Sequence, residues 1–450
     1  MLSSLLKKHP LPTWLLALFF FVLPLQTRLR FATEQVKLFG IGNNYGFWEL
    51  YLSDVVLLVL VGVVLYERLR LQKTVPTKKW CRLLLLFSTF FLVTASLSIT
   101  QGLYPLMGMY RWIKCFEMVL VMLFFSSVGW NYFNKELLLG AIISAATLQS
   151  VLAIVQSLLQ RSPLFWLLRI VGQPRLHLYE DGISYIMLFG QRWIRAYGTF
   201  SHPNVLGAYL IFVLPLLWFA VKEYAPYRRL FSTALIINLL ALLLSFSRIA
   251  WMGAAGFFLL LLWRYRSDER VQRVARKKNA WLLFLAVIAL AIPLMVFRFA
   301  SLFSSNAVSI TERWSLNLAA LSMIEHHPWL GVGIGNFVGV LRDYDVWGLT
   351  SKHLQPVHNI FLLVGAEIGL LGLVVFIALL GLSFYTVIRQ LRNNRVPFPA
   401  LSHYLLYCLI LIVVLGQVDH YFWDIQQMVL VFAVVLGLVN REHHYEHHLS

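Results

Sequence analysis

Long apolar runs, broken by short stretches of charged and polar residues, alternate along the whole chain. Crossing a bilayer core of about 30 Å takes close to 20 apolar residues in helical form. By that measure the sequence predicts twelve spans, at roughly 11–26, 52–67, 82–100, 105–127, 136–158, 203–221, 230–246, 249–263, 280–297, 358–388, 402–418 and 425–440. The tenth is longer than a bilayer needs, which predicts a tilt or an extension into the cytoplasm. The two-residue alternation of a transmembrane barrel is absent, and in lipid only helices and closed barrels satisfy their own backbone groups. An all-α integral membrane bundle follows, one polytopic domain over 1–450.

Composition agrees: 59% of residues are hydrophobic, mean hydropathy is +0.72 and only 13% are charged, about half the usual share. A net charge of +18 would suggest nucleic acid for a soluble chain. Here it reads as an orientation signal, and no nucleic-acid partner is expected. Most of the 38 Lys and Arg fall in alternate loops, such as "ERLRLQKTVPTKKWCR" and "RYRSDERVQRVARKK". By the positive-inside rule those loops and both termini face the cytoplasm. Cys81, Cys115 and Cys408 show no metal or redox spacing. Leu11 to Leu25 reads as an uncleaved first span, and the terminal "EHHYEHH" as a solvated cytoplasmic end.

Three long segments, 27–51, 159–202 and 298–357, then lie outside. Their basic residues are arginines apart from Lys37 and Lys352. Arginine suits bidentate grip on a phosphate, and it also suits simple snorkelling to lipid headgroups. In "RAYGTFSHPNVLGAYL", Arg195, His202 and Asn204 stand where the sixth span starts, with Ser201 or His202 at the cap and Pro203 in the first turn. Such a helix start offers free N–H groups to an anion, or is capped without any ligand. "SFSRIAWMG" is a tight outer turn that puts Arg248 at the membrane surface, where an arginine normally has a partner or a task. Gly253 and Gly256 would allow close packing behind it.

The third outer segment predicts an amphipathic helix. Ser309 and Glu312 have capping-box spacing, Arg313 sits in the first turn, and Trp314, Leu318 and Leu321 form an apolar stripe. "GVGIGNF" has the glycines of a phosphate cradle but no preceding strand, so it reads as a packed turn. Asp343 and Asp345 have metal-binding spacing in a two-residue pattern that arises by chance, and a solvated loop is the favoured reading. His358 and Asn359 open the tenth span. An imidazole at a water–membrane boundary can accept a proton from a hydroxyl. Glu367 lies about 13 Å further along and half a revolution round the helix, so it reads as a packing or relay group. Asp419, His420 and Asp424 in "GQVDHYFWDIQQ" either bind sugar or cap two helices.

In order and spacing, "RAYGTFSHPNVLGAYL", "SFSRIAWMG", "EHHPWLGVGIGNF" and "PVHNIFLLVGAEIGLLGL" resemble the O-antigen ligase and O-antigen polymerase superfamily, strongly over 190–375. The resemblance implies a twelve-span GT-C-like bundle with a periplasmic helical loop (298–357), in a bacterial inner membrane. It implies transfer of a glycan from undecaprenyl pyrophosphate to an acceptor sugar hydroxyl, without metal or other cofactor. His358 would be general base, or would orient the hydroxyl. Arg195 and Arg248 would neutralise the departing pyrophosphate, with Arg313, His202, Asn204, Asn359, Asp419 and His420 expected to bind substrate. The acceptor stays open: a lipid A–core sugar for a ligase, a growing lipid-linked chain for a polymerase, a Ser or Thr hydroxyl for protein glycosylation.

A transporter or flippase of lipid-linked oligosaccharide is the alternative. Transporters tend to show internal repeats and broken helices meeting at the midplane. The two halves show no repeat, and the polar groups cluster outside, which favours the enzyme.

Overall fold

A computed structural model of the chain describes residues 9–39, 41–42, 44–71, 79–127, 132–180, 182–188, 190–265, 307–345, 354–392 and 399–441. The expected span 280–297, the basic stretch after Tyr265, Lys352 and the His-rich tail lie outside the described residues.

The apolar runs fold as helices. Arg82–Ile99, Lys135–Leu159, Pro203–Glu223, Ala225–Leu244 and Ile360–Arg392 are each long and apolar enough to cross a membrane. Leu11–Val22, Arg248–Leu262, Leu401–Gly416 and Gln426–Val439 are shorter apolar helices on other expected spans. Two further helices, Leu52–Arg70 and Pro105–Ser127, match expected spans in position but carry more charge, including Arg111, Lys114 and Glu117 in the second.

The fold is mostly helical rather than all-α. Three two-stranded antiparallel ribbons occur in segments expected to be loops. In the first, Arg28–Ala32 (β1) pairs with Phe47–Tyr51 (β4). The ribbon sets Arg30 opposite Glu49, which takes ion pairs from Arg28 at 3.1 Å and Arg30 at 2.7 Å. Lys37–Leu38 (β2) pairs with Ile41–Gly42 (β3), and Tyr185–Leu188 (β5) with Gln191–Ile194 (β6). These strands are two to five residues long, too short for an alternation pattern to stand out.

Chain contacts divide the protein into two compact units. The first contains 28–138 and 310–450. In it Pro105–Ser127 (α4, counting α1 Leu11–Val22, α2 Leu52–Arg70 and α3 Lys79–Ile99) packs on Gln426–Val439, and α3 packs on Ile360–Arg392. The 426–439 helix touches α4 closely at Gly437, where a β-carbon would come within 2.5 Å of the Met122 carbonyl oxygen.

Beside this contact lies a buried charge cluster. Lys114 pairs with Asp54, and with Glu117 at 3.0 Å. Gln426 Nε2 donates to Asp54 at 2.7 Å and to Glu117 at 3.1 Å, and the Tyr51 amide donates to Asp54 at 3.0 Å. Breaking a buried pair by deleting one charge leaves the other uncompensated, at about 3–5 kcal/mol. Lys114→Met is therefore expected to lower thermal stability by that amount, and a second change, Glu117→Gln, to recover part of it. Unfolding of detergent-solubilised protein checks this. A melting temperature unchanged by Lys114→Met would contradict the cluster's role.

The 360–392 helix is broken. Gly369 adopts φ 72°, ψ −178° within it, a conformation L side chains rarely take. The break frees the Ala366 carbonyl, which accepts from the Val332 amide at 2.8 Å, while the Leu370 amide donates to the Pro328 carbonyl at 2.7 Å. The "GVGIGNF" turn thus fills the break, as the packed-turn reading expects. Gly331, Gly333 and Gly335 all have positive φ, and a β-carbon at Gly331 would lie 2.4 Å from the Ala366 oxygen. Asn336 ties the far end of the turn to the start of α4, accepting from the Tyr104 amide at 2.7 Å.

The loop helix runs from Ala307 to His326. It begins two residues before the expected cap, so Arg313 lies in its second turn. Its buried face is Ser315, Leu316, Ala319, Ala320 and Met323, whereas Trp314 and Leu321 are exposed. The expected Trp314–Leu318–Leu321 stripe is thus not the packing face, because small residues let helices approach closely.

The second unit contains 139–309 and the short piece 20–27. Pro203–Glu223 packs on Arg228–Leu244 and on Arg248–Tyr265. The close approach is at Gly207, 2.8 Å from the Ala250 β-carbon if it carried one of its own. Of the two glycines expected to pack behind Arg248, Gly256 faces open space, while Gly207 on the neighbouring helix makes a close approach.

Candidate functional site

In the first unit four polar side chains gather where the 360–392 helix starts and the 399–416 helix ends. His358 precedes the first helix; Asp419, His420 and Asp424 follow the second. His358 Nδ1 lies 3.5 Å from Asp419 Oδ1, and His420 Nε2 lies 3.9 Å from the same oxygen. The two imidazole rings are 5.1 Å apart. His420 Nδ1 bonds Asp424 Oδ1 at 2.7 Å, which holds that ring in one orientation and leaves Nε2 toward Asp419.

The surroundings fix this corner. Asn359 caps the 360–392 helix, accepting from the amides of Phe361 and Leu362, and its Nδ2 donates to Gln417 Oε1 at 3.1 Å. Arg313 reaches the same turn from the loop helix, donating to the Val418 carbonyl at 3.3 Å. Glu367, fully inside the unit, accepts from Trp423 Nε1 at 2.7 Å and from the backbone of Gly335. It links the glycine turn to the 421–424 segment rather than touching His358, in agreement with their half-revolution offset.

The two histidines are pushed in opposite directions. Burial lowers the His358 value below its ordinary 6.5, outweighing the opposing pull of Asp419. His420 is also penalised by burial, but Asp424 and Asp419 outweigh it and raise its value. At neutral pH the first ring is therefore neutral, with a lone pair to accept a proton, beside a second that favours the cation. A base works only when unprotonated, so kcat/KM of the proposed reaction is expected to fall on the acid side with a midpoint below 6.5. A pH–rate profile with its acid midpoint above 6.5 would exclude His358 as that base. His420, with a raised value, contributes stability that is complete below 6.5 and is lost as pH rises through that value.

His358, Asp419 and His420 could also hold a divalent cation, since one ligand atom from each lies within 4.8 Å of the others. A carboxylate on the far nitrogen of a liganding histidine, as Asp424 is here, is a frequent outer partner in metal sites. Asp345, one of the D-x-D pair, accepts from Ser315 Oγ at 2.7 Å, and Asp343 is exposed.

The remaining expected residues lie in the second unit. Arg195 is buried, 3% exposed, with three protein acceptors: the Ser245 carbonyl, Ser184 Oγ and Asn204 Oδ1, each at 2.7 Å. Its charge thus meets the carboxyl end of the Arg228–Leu244 helix, where a cation is favoured. His202 is the cap of the 203–223 helix, Nδ1 accepting from the Asn204 amide at 3.1 Å. Gln149 and Gln156, two turns apart on the 135–159 helix, hold the "YGTF" segment through three bonds to its backbone at 2.8 Å and one from Gln149 Nε2 to Thr199 Oγ1 at 2.9 Å. Arg248 is half-buried at the start of its helix, after the three-residue turn 245–247.

Two residues of the first unit escape a reading of the sequence. Arg111 on α4 stands over the Trp423 ring, 5.8 Å from its centre. Tyr45, after β3, feels Asp424, Arg111, Asp419 and Glu367. No motif marks either one.

These features define a polytopic helical membrane protein with a paired-imidazole site at the ends of two of its helices. Residues 233–377, about a third of the chain, match the family described as O-antigen ligase, which supports the O-antigen ligase and polymerase superfamily for this protein. No curated protein matches the chain. The matched stretch includes Arg248, Arg313, His358 and Glu367 and stops before Asp419 and His420. The family implies ligase- or polymerase-type glycan transfer at a bacterial inner membrane.

Proposed function

We propose that the protein transfers a glycan from undecaprenyl pyrophosphate to an acceptor hydroxyl on the periplasmic side of the membrane, with His358 as general base. The observation that carries this reading is the placement of His358 beside Asp419 and His420, with burial pushing the His358 value down and Asp424 pulling the His420 value up. The acceptor oxygen gives its proton to His358 and bonds to the anomeric carbon. The bond from that carbon to the pyrophosphate oxygen breaks, and its electron pair leaves with the lipid pyrophosphate. Asp419 stabilises the imidazolium that forms.

Arg313, in the same unit as His358, is proposed to neutralise charge on the leaving group. Arg248 shares that role in this reading. Arg195, already bonded to three protein acceptors, is given a share of it through the turn it holds, which carries Arg248. Asn359, His202 and Asn204 are proposed to act likewise, fixing helix starts that face substrate. Both termini are proposed to lie in the cytoplasm, from the loop charges.

The reaction is proposed to need no metal. Transfer by purified full-length protein, from undecaprenyl-pyrophosphate oligosaccharide in detergent, is expected to persist in EDTA. Activity lost to EDTA and restored by zinc or manganese would favour a metal-assisted reaction, for which the 4.8 Å grouping of His358, Asp419 and His420 is the specific support. Product length separates the two acceptors: a polymerase extends the lipid-linked chain, and a ligase attaches finished chains to a lipid A–core sugar. No transfer to any acceptor would sink the enzyme reading.

A further inference from the structure

We infer that Arg111 is a diphosphate-binding residue of the His358–His420 site. This rests on the transferase reading and adds to it a cation that the family match does not reach, since Arg111 lies outside 233–377. Arg111 is half-buried on α4, three residues before Lys114. Its head stands over Trp423 at 5.8 Å. Trp423 is itself fixed by the 2.7 Å bond to Glu367. A contact over an aromatic ring engages the face of the guanidinium and leaves the N–H groups at its edge free to bond.

Among the described residues those N–H groups make no hydrogen bond or ion pair, although Asp424, Asp419 and Glu367 act with Arg111 on one neighbour, Tyr45. Each carboxylate already has its own donors. Asp424 takes His420 Nδ1, Glu367 takes Trp423 and Gly335, and Asp419 takes the His420 amide at 3.0 Å. Arg111 thus stands beside the 421–424 segment that carries Trp423 and follows His420, while Arg313 reaches the neighbouring turn at Val418. Arginine's paired N–H edge fits two oxygens of a phosphate. An arginine in a bundle of apolar helices normally has a partner or a task. Among the described residues this one has the Trp423 ring and no hydrogen-bond acceptor.

The glycine turn packs directly against the root of this side chain. A β-carbon at Gly335 would come 2.9 Å from that of Arg111, so the bare glycine lets the turn approach α4 closely at this position. The glycine turn, the tryptophan and the helix thus hold one cation beside the imidazole pair.

The test is affinity for inorganic pyrophosphate and for undecaprenyl pyrophosphate, by titration calorimetry on the full-length protein in detergent at low and high salt. Wild type, Arg111→Gln and Arg111→Lys are compared, with melting temperature measured for each. Loss of a charge-assisted bond is expected to weaken both ligands about 10–100-fold in Arg111→Gln. Arg111→Lys keeps the charge but not the paired edge, so it should recover part of the loss. In transfer assays the KM for donor should rise while the KM for acceptor stays. Equal pyrophosphate affinity in all three proteins would overturn the inference, as would a wild type that binds none. So would a drop in melting temperature with no change in affinity, which is the mark of a counter-ion to Glu367 alone. Because binding is read without turnover, an inactive wild type with Arg111-dependent affinity would sink the transferase reading and spare this one.

Discussion

Replacing His358 by alanine is expected to lower the rate of glycan transfer about 10²–10⁴-fold, with little change in melting temperature. The effect on rate follows from its place as the neutral ring of the pair. His420 cannot take over, because Asp424 holds its Nδ1 at 2.7 Å and favours its charged form. The small effect on stability follows from how loosely His358 is held: 3.5 Å separates it from Asp419, and its side chain keeps 18% of its exposure. Affinity for the lipid donor should change much less than rate. The measurement is single-turnover transfer from labelled donor, alongside a melting curve. Equal rates in wild type and His358→Ala would remove His358 from the chemistry and move the search to Asp419 and His420.

The second large effect is expected at a residue that touches no substrate. Gly369→Ala places a β-carbon 2.3 Å from the Trp329 carbonyl carbon, which is backbone and cannot rotate away. To this is added the cost of a positive φ for alanine, about 1–2 kcal/mol. Forcing the surroundings apart costs about 1–3 kcal/mol more. A loss of about 2–5 kcal/mol follows, enough to empty the folded state of a marginal protein. Thermal unfolding in detergent reads it directly. The control is Gly381→Ala in the same helix, where a β-carbon meets nothing within 4 Å and a small gain in stability is expected. Equal stability of the two variants would mean that the helix is not broken at Gly369.

Much of this architecture is legible in the sequence because the solvent for apolar helices is itself apolar. Length and hydropathy mark Pro203–Glu223 or Ile360–Arg392 without any knowledge of neighbours. What is not legible depends on contacts distant in the chain. Nothing in "AEIGLLG" distinguishes Gly369, which breaks its helix, from Gly372, which does not; the difference is Trp329. The packing face of the loop helix is hidden for a related reason. Ranking by hydrophobicity selects Trp314 and Leu321, but close approach selects Ala319 and Ala320. Asp419 and His420 stand out as polar groups in a turn, yet only the fold brings them beside His358. Arg111 carries no signal because its partner, Trp423, lies on the far side of the chain from it.

The bond between Asp54 and Gln426 joins residues 372 positions apart, and this bears on how the protein is made. At about 5–20 residues per second, the ribosome reaches Gln426 about 20–70 s after Asp54. For that interval the Asp54 carboxylate sits in a growing helical hairpin without its last donor. Lys114 arrives after only 60 residues, about 3–12 s at the same rate, and neutralises it early. The residues of the imidazole pair are completed in the same late window as Gln426, because His420 lies six positions before it. A nascent chain therefore carries the Lys114 counter-charge for Asp54 among its early helices, and the proposed His358–His420 site is complete only once residue 420 has been made.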